Sequence, residues 1–471
     1  MLIRFKVKNF LSFNDLQEFD MLAGKVRSKN EHLLIDKNIK LRKFAAIYGA
    51  NASGKTNLIK SIQYAQNILK EKNFNVNGGK YCKTNKKNKE NPSYFEFEIK
   101  LKDKYYTYGF ELLLKDSKLV SEWLYELLPN GEEKKIFEYD ASSKVTDKLT
   151  FGKYFKSSKL IDLLNVYARP YNDIDIEANE IDSDLDSNLN VLFLCEMNNN
   201  KVFLYKEEKE AFVFRDVYNW LCKNIKIVYP NTKILDYSKW YFTKSNKDNI
   251  CELLKSFGTG IESFHIEDVD INELNPSEKE IITQIIFRAK KTREKAKNVG
   301  FQGVLRGSDK MFIITFIKES DKYNINTIKF KHINNDDTLY GLDEESDGTI
   351  RLMDLIDILI DDNKEDVVYI IDELDRSLHP QLTYKFVEQF FKLTKGNNIQ
   401  LITSTHESHI MNFDLLRRDE IWFVNKNNKG ESNIYSLDEF NERFDRKIDK
   451  AYLEGRYKGI PIFDTYFPVK E

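Results

Sequence analysis

Eight residues, Gly49-Ala50-Asn51-Ala52-Ser53-Gly54-Lys55-Thr56, fit the pattern G-x-x-x-x-G-K-[ST] in full. Such a stretch dictates its surroundings, because a phosphate loop joins a buried strand to a helix. Phe44-Ala45-Ala46-Ile47-Tyr48 supplies an apolar run before it, and Leu58, Ile62, Ala65 and Leu69 follow at helical spacing. The glycines let backbone N–H groups close around phosphate oxygens, and the helix N-terminus adds partial positive charge. In that chemistry Lys55 reaches the β- and γ-phosphates of ATP and the Thr56 hydroxyl holds Mg²⁺.

Five apolar residues, Val367-Val368-Tyr369-Ile370-Ile371, lead into Asp372-Glu373. A strand ending in Asp supports Mg²⁺ in phosphate-loop enzymes, and an adjacent Glu orients or deprotonates the attacking water. Two acids after a strand mean little alone; downstream of a phosphate loop they make Thr56 and Asp372 the metal residues, with Glu373 and Lys55 catalytic. Three more pieces follow a fixed order. Ser346-Asp347-Gly348-Thr349 opens an apolar-periodic helix carrying Leu352, Leu355, Ile356 and Leu359; by itself it reads as a helix N-cap. Leu374-Asp375-Arg376-Ser377-Leu378-His379-Pro380 follows the acidic pair. The strand Leu401-Ile402 ends in Thr403-Ser404-Thr405-His406. His406 is placed to donate to a γ-phosphate, or simply to pack at a strand end.

Length and charge bound the rest. A chain of 471 residues suggests two or three domains. Its 73 Lys and Arg balance 75 Asp and Glu, so no global field argues for nucleic acid. Four cysteines, Cys82, Cys195, Cys222 and Cys251, are scattered without a C-x-x-C pair, which fits a reducing cytoplasm. The opening Ile3 to Val7 is a strand pattern, not a leader. No run approaches the ~18 apolar residues of a membrane span, so no membrane partner is expected.

The pattern along the chain divides at about 135 and 330. Residues 1–135 hold the phosphate loop and three strand-like runs, Tyr94 to Leu101, Tyr105 to Leu114 and Lys118 to Leu127, which predict an antiparallel meander. The Lys-rich stretch Asn77 to Pro92 reads as a solvated loop or a phosphate contact. Residues 136–330 read as a mainly helical insertion with an acidic stretch, Asp173 to Asp186. Its basic run, Arg288 to Lys295, reads as a solvated helix face or a nucleic-acid contact. Residues 331–471 alternate strands and helices, which predicts α/β architecture with a parallel sheet.

In this order the five pieces resemble an ABC-type ATPase head of the RecF/SMC kind. Glu345-Ser346-Asp347-Gly348-Thr349 resembles the ABC signature, Asp375 to His379 the D-loop (with Asp375, Ser377 and His379 as its polar residues), and His406 the switch histidine. More narrowly, the chain is similar to bacterial AAA-family ATPases of phage-defence systems, the RloA, AbiL and AriA types. The similarity rests on Asn9-Phe10-x-Ser12-Phe13, Thr259-Gly260-Ile261, the signature, Asp372-Glu373 with Leu378-His379-Pro380, and Tyr452-Leu453-Glu454-Gly455-Arg456-Tyr457. The implied fold class is α/β: a P-loop ABC-type ATPase head with a mixed sheet, an antiparallel subdomain and a mainly helical insertion. Two departures stand out. No Gln lies between Gln66 and Gln284, where ABC heads carry their glutamine loop, so a carboxylate such as Glu122 takes the role or the role is absent. The signature has Asp347 where a second glycine is usual.

The resemblance implies two heads sandwiching two ATP molecules with Mg²⁺, Ser346, Asp347 and Gly348 of each acting in trans on the other's phosphate loop, in a homodimer or higher homo-oligomer. It implies a scaffold and sensor in anti-phage defence controlling a separately encoded nuclease or toxin, since little chain follows His406 and no nuclease pattern is present. Two alternatives stay open: a RecF- or SMC-like ATPase in DNA repair or DNA-end handling, and a nucleotide-stabilised structural subunit with negligible turnover.

Overall fold

The computed structural model describes residues 1–26, 28–72, 79–172, 191–232, 244–295, 302–306, 311–316, 323–333, 337–360, 366–440 and 447–459. The acidic stretch at 173–186 lies outside them, as do residues 77–78 of the Lys-rich loop. The chain forms two compact units. The first comprises Met1–Tyr229, Asn363–Leu374 and Thr394–Glu471, the second Pro230–Asp362 and Asp375–Leu393. The expected boundaries at 135 and 330 fall inside these units.

In the first unit the chain runs through β1 (Leu2–Lys8), β2 (Gln17–Asp20), a short hairpin of β3 (Leu33–Ile35) and β4 (Lys40–Arg42), and β5 (Phe44–Tyr48) into α1 (Lys55–Glu71). Next come β6 (Ser93–Leu101), β7 (Lys104–Leu113), β8 (Lys118–Leu127), β9 (Glu133–Asp140) and β10 (Leu149–Phe151). These build a seven-stranded antiparallel sheet in the order β10-β9-β8-β7-β6-β1-β2, so the expected meander is extended at both ends. Helices α2 (Ser158–Asn172), α3 (Phe193–Met197), α4 (Val202–Glu207) and α5 (Phe212–Asn219) follow, then a π-helical turn at Trp220–Asn224 and β11 (Ile225–Val228).

The second unit holds α6 (Lys244–Ser256), β12 (Ile261–Asp268), α7 (Pro276–Lys295), β13 (Gln302–Arg306), β14 (Met311–Phe316), β15 (Tyr323–His332), β16 (Leu339–Tyr340) and α8 (Asp347–Ile360). Strands β12-β15-β14-β13 form an antiparallel sheet, with β16 paired to β15. Ile282 and Ile286 of α7 pack with Phe312, Ile314 and Ile325 of that sheet. Residues 136–330, read as mainly helical, thus contribute strands to three sheets. A short apolar run such as Met311-Phe312-Ile313-Ile314 fits a strand or a buried helix equally until its partner is known. Of the basic run on α7, Lys290 is exposed.

The chain then gives β17 (Val367–Ile371), α9 (Pro380–Leu393, in the second unit), β18 (Ile399–Ser404), β19 (Ile421–Lys426), β20 (Ser432–Ser436) and α10 (Ile448–Leu453). A six-stranded sheet of the first unit orders as β11-β17-β18-β5-β19-β20, parallel throughout except for the β19–β20 pair. Every residue of β5, β17 and β18 is buried, as continuous apolar central strands require. Helix α1 is amphipathic, burying Leu58, Ile59, Ile62, Ala65, Ile68 and Leu69. One apolar core runs from Phe5, Val7 and Phe97 of the antiparallel sheet through this face of α1 to Val368, Ile370 and Ile402. The fold is therefore mixed α/β, a parallel core sheet with an antiparallel subdomain. Among the described residues no helix is long and apolar enough to cross a membrane.

Candidate functional site

In open parallel sheets the carboxyl ends of the strands form the ligand-binding edge. Here β5, β17 and β18 deliver three predicted segments to that edge of one sheet: the phosphate loop, Asp372-Glu373 and Thr405-His406. Register holds them together, with Ile371 paired to Thr403 and Ser404 to Ile47.

The phosphate loop turns tightly from β5 into α1. Ala52 adopts φ 61° and Gly54, the N-cap of α1, φ 120°. A Cβ on Gly54 would lie 2.4 Å from Ser432 Oγ and 3.0 Å from Ser12 Oγ, so glycine is needed for space as well as for backbone angle. Ser432 Oγ donates to the Ser53 carbonyl (2.5 Å) and lies 2.8 Å from Ser12 Oγ, while Asn57 Nδ2 donates to Ser12 Oγ (2.8 Å). The opening motif thus has a physical job: Ser12 buttresses the loop. Asn9 orders the loop after α1, its Nδ2 donating to the carbonyls of Asn88 and Asn91 at 2.8 Å each and its Oδ1 accepting from Cys82 N. Gly49, Ser53, Gly54 and Lys55 are buried, Ala50 and Thr56 half-buried, and Asn51 and Ala52 exposed. Lys55 Nζ donates to the carbonyls of Gly49 (2.8 Å) and Ala50 (3.2 Å). A cavity of about 480 Å³, lined by Leu11, Ser12, Asn57, Tyr81, Lys83 and Lys426, opens beside Ser12 and Asn57.

Thr56 and Asp372 meet. Thr56 Oγ1 donates to Asp372 Oδ2 at 2.9 Å, and Ser404 Oγ donates to Asp372 Oδ1 at 2.6 Å. Ser404 Oγ also accepts the Glu373 N–H at 2.8 Å. Ser404, not singled out in the sequence, is thus the hinge between β18 and the acidic pair; the hydroxyl-rich strand end Thr403-Ser404-Thr405 was its signal. Glu373 holds φ 51°, a left-handed conformation costing a non-glycine residue roughly 1 kcal/mol. Hydroxyl and carboxylate make an all-oxygen donor set that suits Mg²⁺, which keeps water and phosphate oxygens as its remaining ligands. Among the described residues no cluster of three or more His, Cys, Asp or Glu is placed to hold a metal unaided.

His406 is exposed at the same edge. Its neighbours flank the phosphate-loop strand, Thr405 N donating to Ile47 O (3.1 Å) and Tyr48 Oη to Glu407 O (3.3 Å). Strand β11 was not anticipated. It adds an edge to the sheet, and Val228 O accepts the Asp372 N–H at 2.9 Å.

Glu122 does not take the glutamine's place. It is fully buried on β8, accepting from Phe193 N (2.6 Å), Leu194 N (3.0 Å) and Tyr108 Oη (3.0 Å). Burial lifts its carboxyl from the ordinary 4.5 to about 7, against the pull of those donors.

In the second unit, Ser346 caps α8: its Oγ accepts from Thr349 N (3.1 Å) and lies 2.9 Å from Thr349 Oγ1. Ser346 and Asp347 are exposed. The structure also brings the start of α8 against the turn after β17, since a Cβ on Gly348 would lie 2.9 Å from the Ser377 carbonyl, whose residue holds φ 63°. Asp375 O accepts from Leu378 N (3.0 Å), closing the turn that holds Ser377. His379 caps α9, its Nδ1 accepting from Gln381 N (3.2 Å), with Pro380 opening the helix.

A family model described as "AAA domain, putative AbiEii toxin, Type IV TA system" matches residues 44–412. No curated protein matches the sequence. Solved SMC heads show a remote likeness. One is an SMC head bound to the C-winged helix domain of ScpA (14% identity, 92% of this chain and 97% of that one, TM-score 0.38). Another is the SMC head domain from Thermotoga maritima (14%, 92% and 98%, 0.32). A third, derived from Pyrococcus furiosus, is an Smc head with an extended coiled coil bound to the C-terminal domain of ScpA (16%, 97% and 99%, 0.31).

Proposed function

Because the chain belongs to this AAA-domain family, matched over residues 44–412, we propose that it binds and hydrolyses ATP with Mg²⁺ as the switch of a bacterial anti-phage system. The observation that carries the ATPase reading is the Thr56–Asp372 hydrogen bond, which joins the phosphate loop to the acidic strand end. Residues 49–56 wrap the phosphates with backbone N–H groups, and Lys55 exchanges its loop carbonyls for β- and γ-phosphate oxygens. Thr56 and Asp372 would hold Mg²⁺, which would supply positive charge against the phosphate oxygens. Glu373 takes a proton from the attacking water, and His406 donates to the γ-phosphate. Ser346, Asp347 and Gly348 of a second copy close the site, a capped helix start being an anion site, with Asp375, Ser377 and His379 alongside. Two heads then join only around ATP.

The toxin–antitoxin wording of the family description supports the defence role, in which the ATP-joined heads restrain a separately encoded toxin or nuclease. Phosphate release by the purified chain with Mg²⁺ and ATP, compared with Lys55→Ala, tests the reading. Turnover dependent on both Lys55 and Mg²⁺ is expected, and equal release by the two proteins sinks it.

A further inference from the structure

The motif Thr259-Gly260-Ile261 has no part in the chemistry above. In the second unit it lies where β12 begins, against the end of β15. Thr259 Oγ1 donates to the Leu254 carbonyl at 3.0 Å, closing the end of α6, and accepts from Ile261 N at 3.3 Å. Ile261 pairs with His332, and Gly260 O accepts from Ile333 N at 2.9 Å. Gly260 holds φ 79°, and a Cβ there would come within 3.3 Å of His332 Nδ1. The glycine therefore serves the backbone and gives the imidazole its room. Tyr340 on β16 meets the same ring edge-on, centroids 5.0 Å apart at 79°.

This seated imidazole holds Glu345, the residue before the Ser346 cap. His332 Nε2 lies 2.7 Å from Glu345 Oε1. An ionised carboxylate only accepts, so Nε2 carries the proton. The Glu345 side chain is 3% exposed, whereas Asp343, Glu344, Ser346 and Asp347 around it are exposed. Four carboxylates, Asp343, Glu344, Glu345 and Asp347, thus stand within three residues of the cap. Glu344 is engaged as well, its Oε2 accepting from Gly341 N at 2.6 Å. A loose carboxylate beside the first turn of a helix is drawn to its free N–H groups by the field that draws a phosphate. Glu345 adjoins the cap of α8, and its bond to His332 keeps it turned inward.

We propose that His332 is a positioning residue for the signature: by holding Glu345 inward it keeps the start of α8 open to the γ-phosphate of a nucleotide bound by a second copy. This rests on the reading of Ser346, Asp347 and Gly348 as acting in trans. Thr259-Gly260-Ile261 serves the signature at one remove, as the seat of the imidazole.

The test is dimer formation with Mg²⁺ and a slowly hydrolysed ATP analogue, followed by light scattering over a range of protein concentrations. Affinity of the monomer for a fluorescent ATP analogue is measured in parallel. His332→Ala releases Glu345, and the dimer dissociation constant is expected to rise about tenfold, two sites each losing an interaction of the size usual at helix termini. Affinity for the fluorescent analogue is expected to stay within about twofold, because residues 49–56 are unaltered. His332→Ala combined with Glu345→Gln removes the rival charge, and is expected to bring the dimer back to within about threefold of wild type. The space left by the imidazole is common to both variants, so a loss of packing alone gives no such recovery. If the unmodified chain dimerises and His332→Ala dimerises as tightly, the proposal fails while the trans reading stands. It fails too if the double variant is as weak as the single one, or if analogue affinity falls in step with dimerisation. If the unmodified chain binds nucleotide yet stays monomeric at every concentration, the trans reading falls and takes this one with it.

Discussion

Thr56 and Asp372 stand 316 positions apart in sequence and meet in a hydrogen bond of 2.9 Å. Ser404, from a third segment, holds the other carboxylate oxygen at 2.6 Å. Three strands of one parallel sheet thus converge on a single carboxylate at their carboxyl ends. The two hydroxyls fix its orientation before any ligand arrives, which is what a preorganised metal site requires.

Asp372→Asn tests this directly. An amide cannot accept from Thr56 and Ser404 on both of its arms, and it carries no charge for a divalent ion. The Mg²⁺ concentration for half-maximal phosphate release is expected to rise at least about tenfold, the order lost when a metal's carboxylate support is removed. Binding of ATP analogue in EDTA is expected to stay within about twofold. A Mg²⁺ titration of both proteins decides the point, and an unchanged half-saturation removes Asp372 from the metal.

Glu373→Gln separates binding from chemistry. The substitution preserves size and leaves the left-handed backbone at φ 51° as it was. If the carboxylate takes the proton of the attacking water, phosphate release falls by about 100-fold or more. ATP binding persists, and light scattering detects a dimer that outlives the one formed by the unmodified protein. Steady-state turnover equal to wild type refutes the role.

The signature is testable without disturbing its helix. Ser346 caps α8 through its bond from Thr349 N, so truncating it would confound folding with function. Ser346→Asp keeps a good cap while setting a negative charge against any incoming γ-phosphate. Alone, that variant and Lys55→Ala are each expected to be inactive. Mixed, they form dimers in which one of two sites pairs an intact phosphate loop with an intact signature. Phosphate release should reappear on mixing, and a mixture as silent as its components counts against action in trans.

The segments carrying these predictions were legible because each is contiguous and each residue type is forced by local chemistry. The glycines of the phosphate loop, the apolar run before Asp372 and the cap at Ser346 need no distant partner to be recognised. What escaped was relational. Ser12, Ser404 and Ser432 are ordinary polar residues until the fold sets them against Gly54, Asp372 and Ser53. Strand β11 is four residues long and follows a helical turn without a breaker, so only its pairing with β17 defines it. Gly348 reads as part of a signature, yet it also gives the Ser377 carbonyl its room. Glu122 misled for the opposite reason: it is a carboxylate in the stretch where a glutamine was missing, and nothing local revealed that it accepts from the start of α3.

Glu122 makes stability depend on pH in a definite direction. Its carboxyl binds a proton up to about pH 7 in the folded chain, against 4.5 ordinarily. Between those values the folded state holds the extra proton, so raising pH costs stability, by about 3 kcal/mol across the window. The buried Met1 ammonium works the other way: burial lowers it from 8.0 to about 5, so stability rises as pH climbs through that range. The two slopes largely cancel between pH 5 and 7, and a melting curve of the unmodified protein alone would show little. The difference between wild type and Glu122→Gln isolates the carboxyl, because the Met1 contribution is common to both and any misfit of the amide against Phe193 N is constant with pH. Relative to the variant, wild type is expected to lose about 3 kcal/mol as pH rises from about 5 to 8. Denaturant melts of both proteins at intervals across that range provide the measurement. Two parallel profiles would mean that Glu122 is ionised throughout, its charge carried by the Phe193 and Leu194 N–H groups and the Tyr108 hydroxyl.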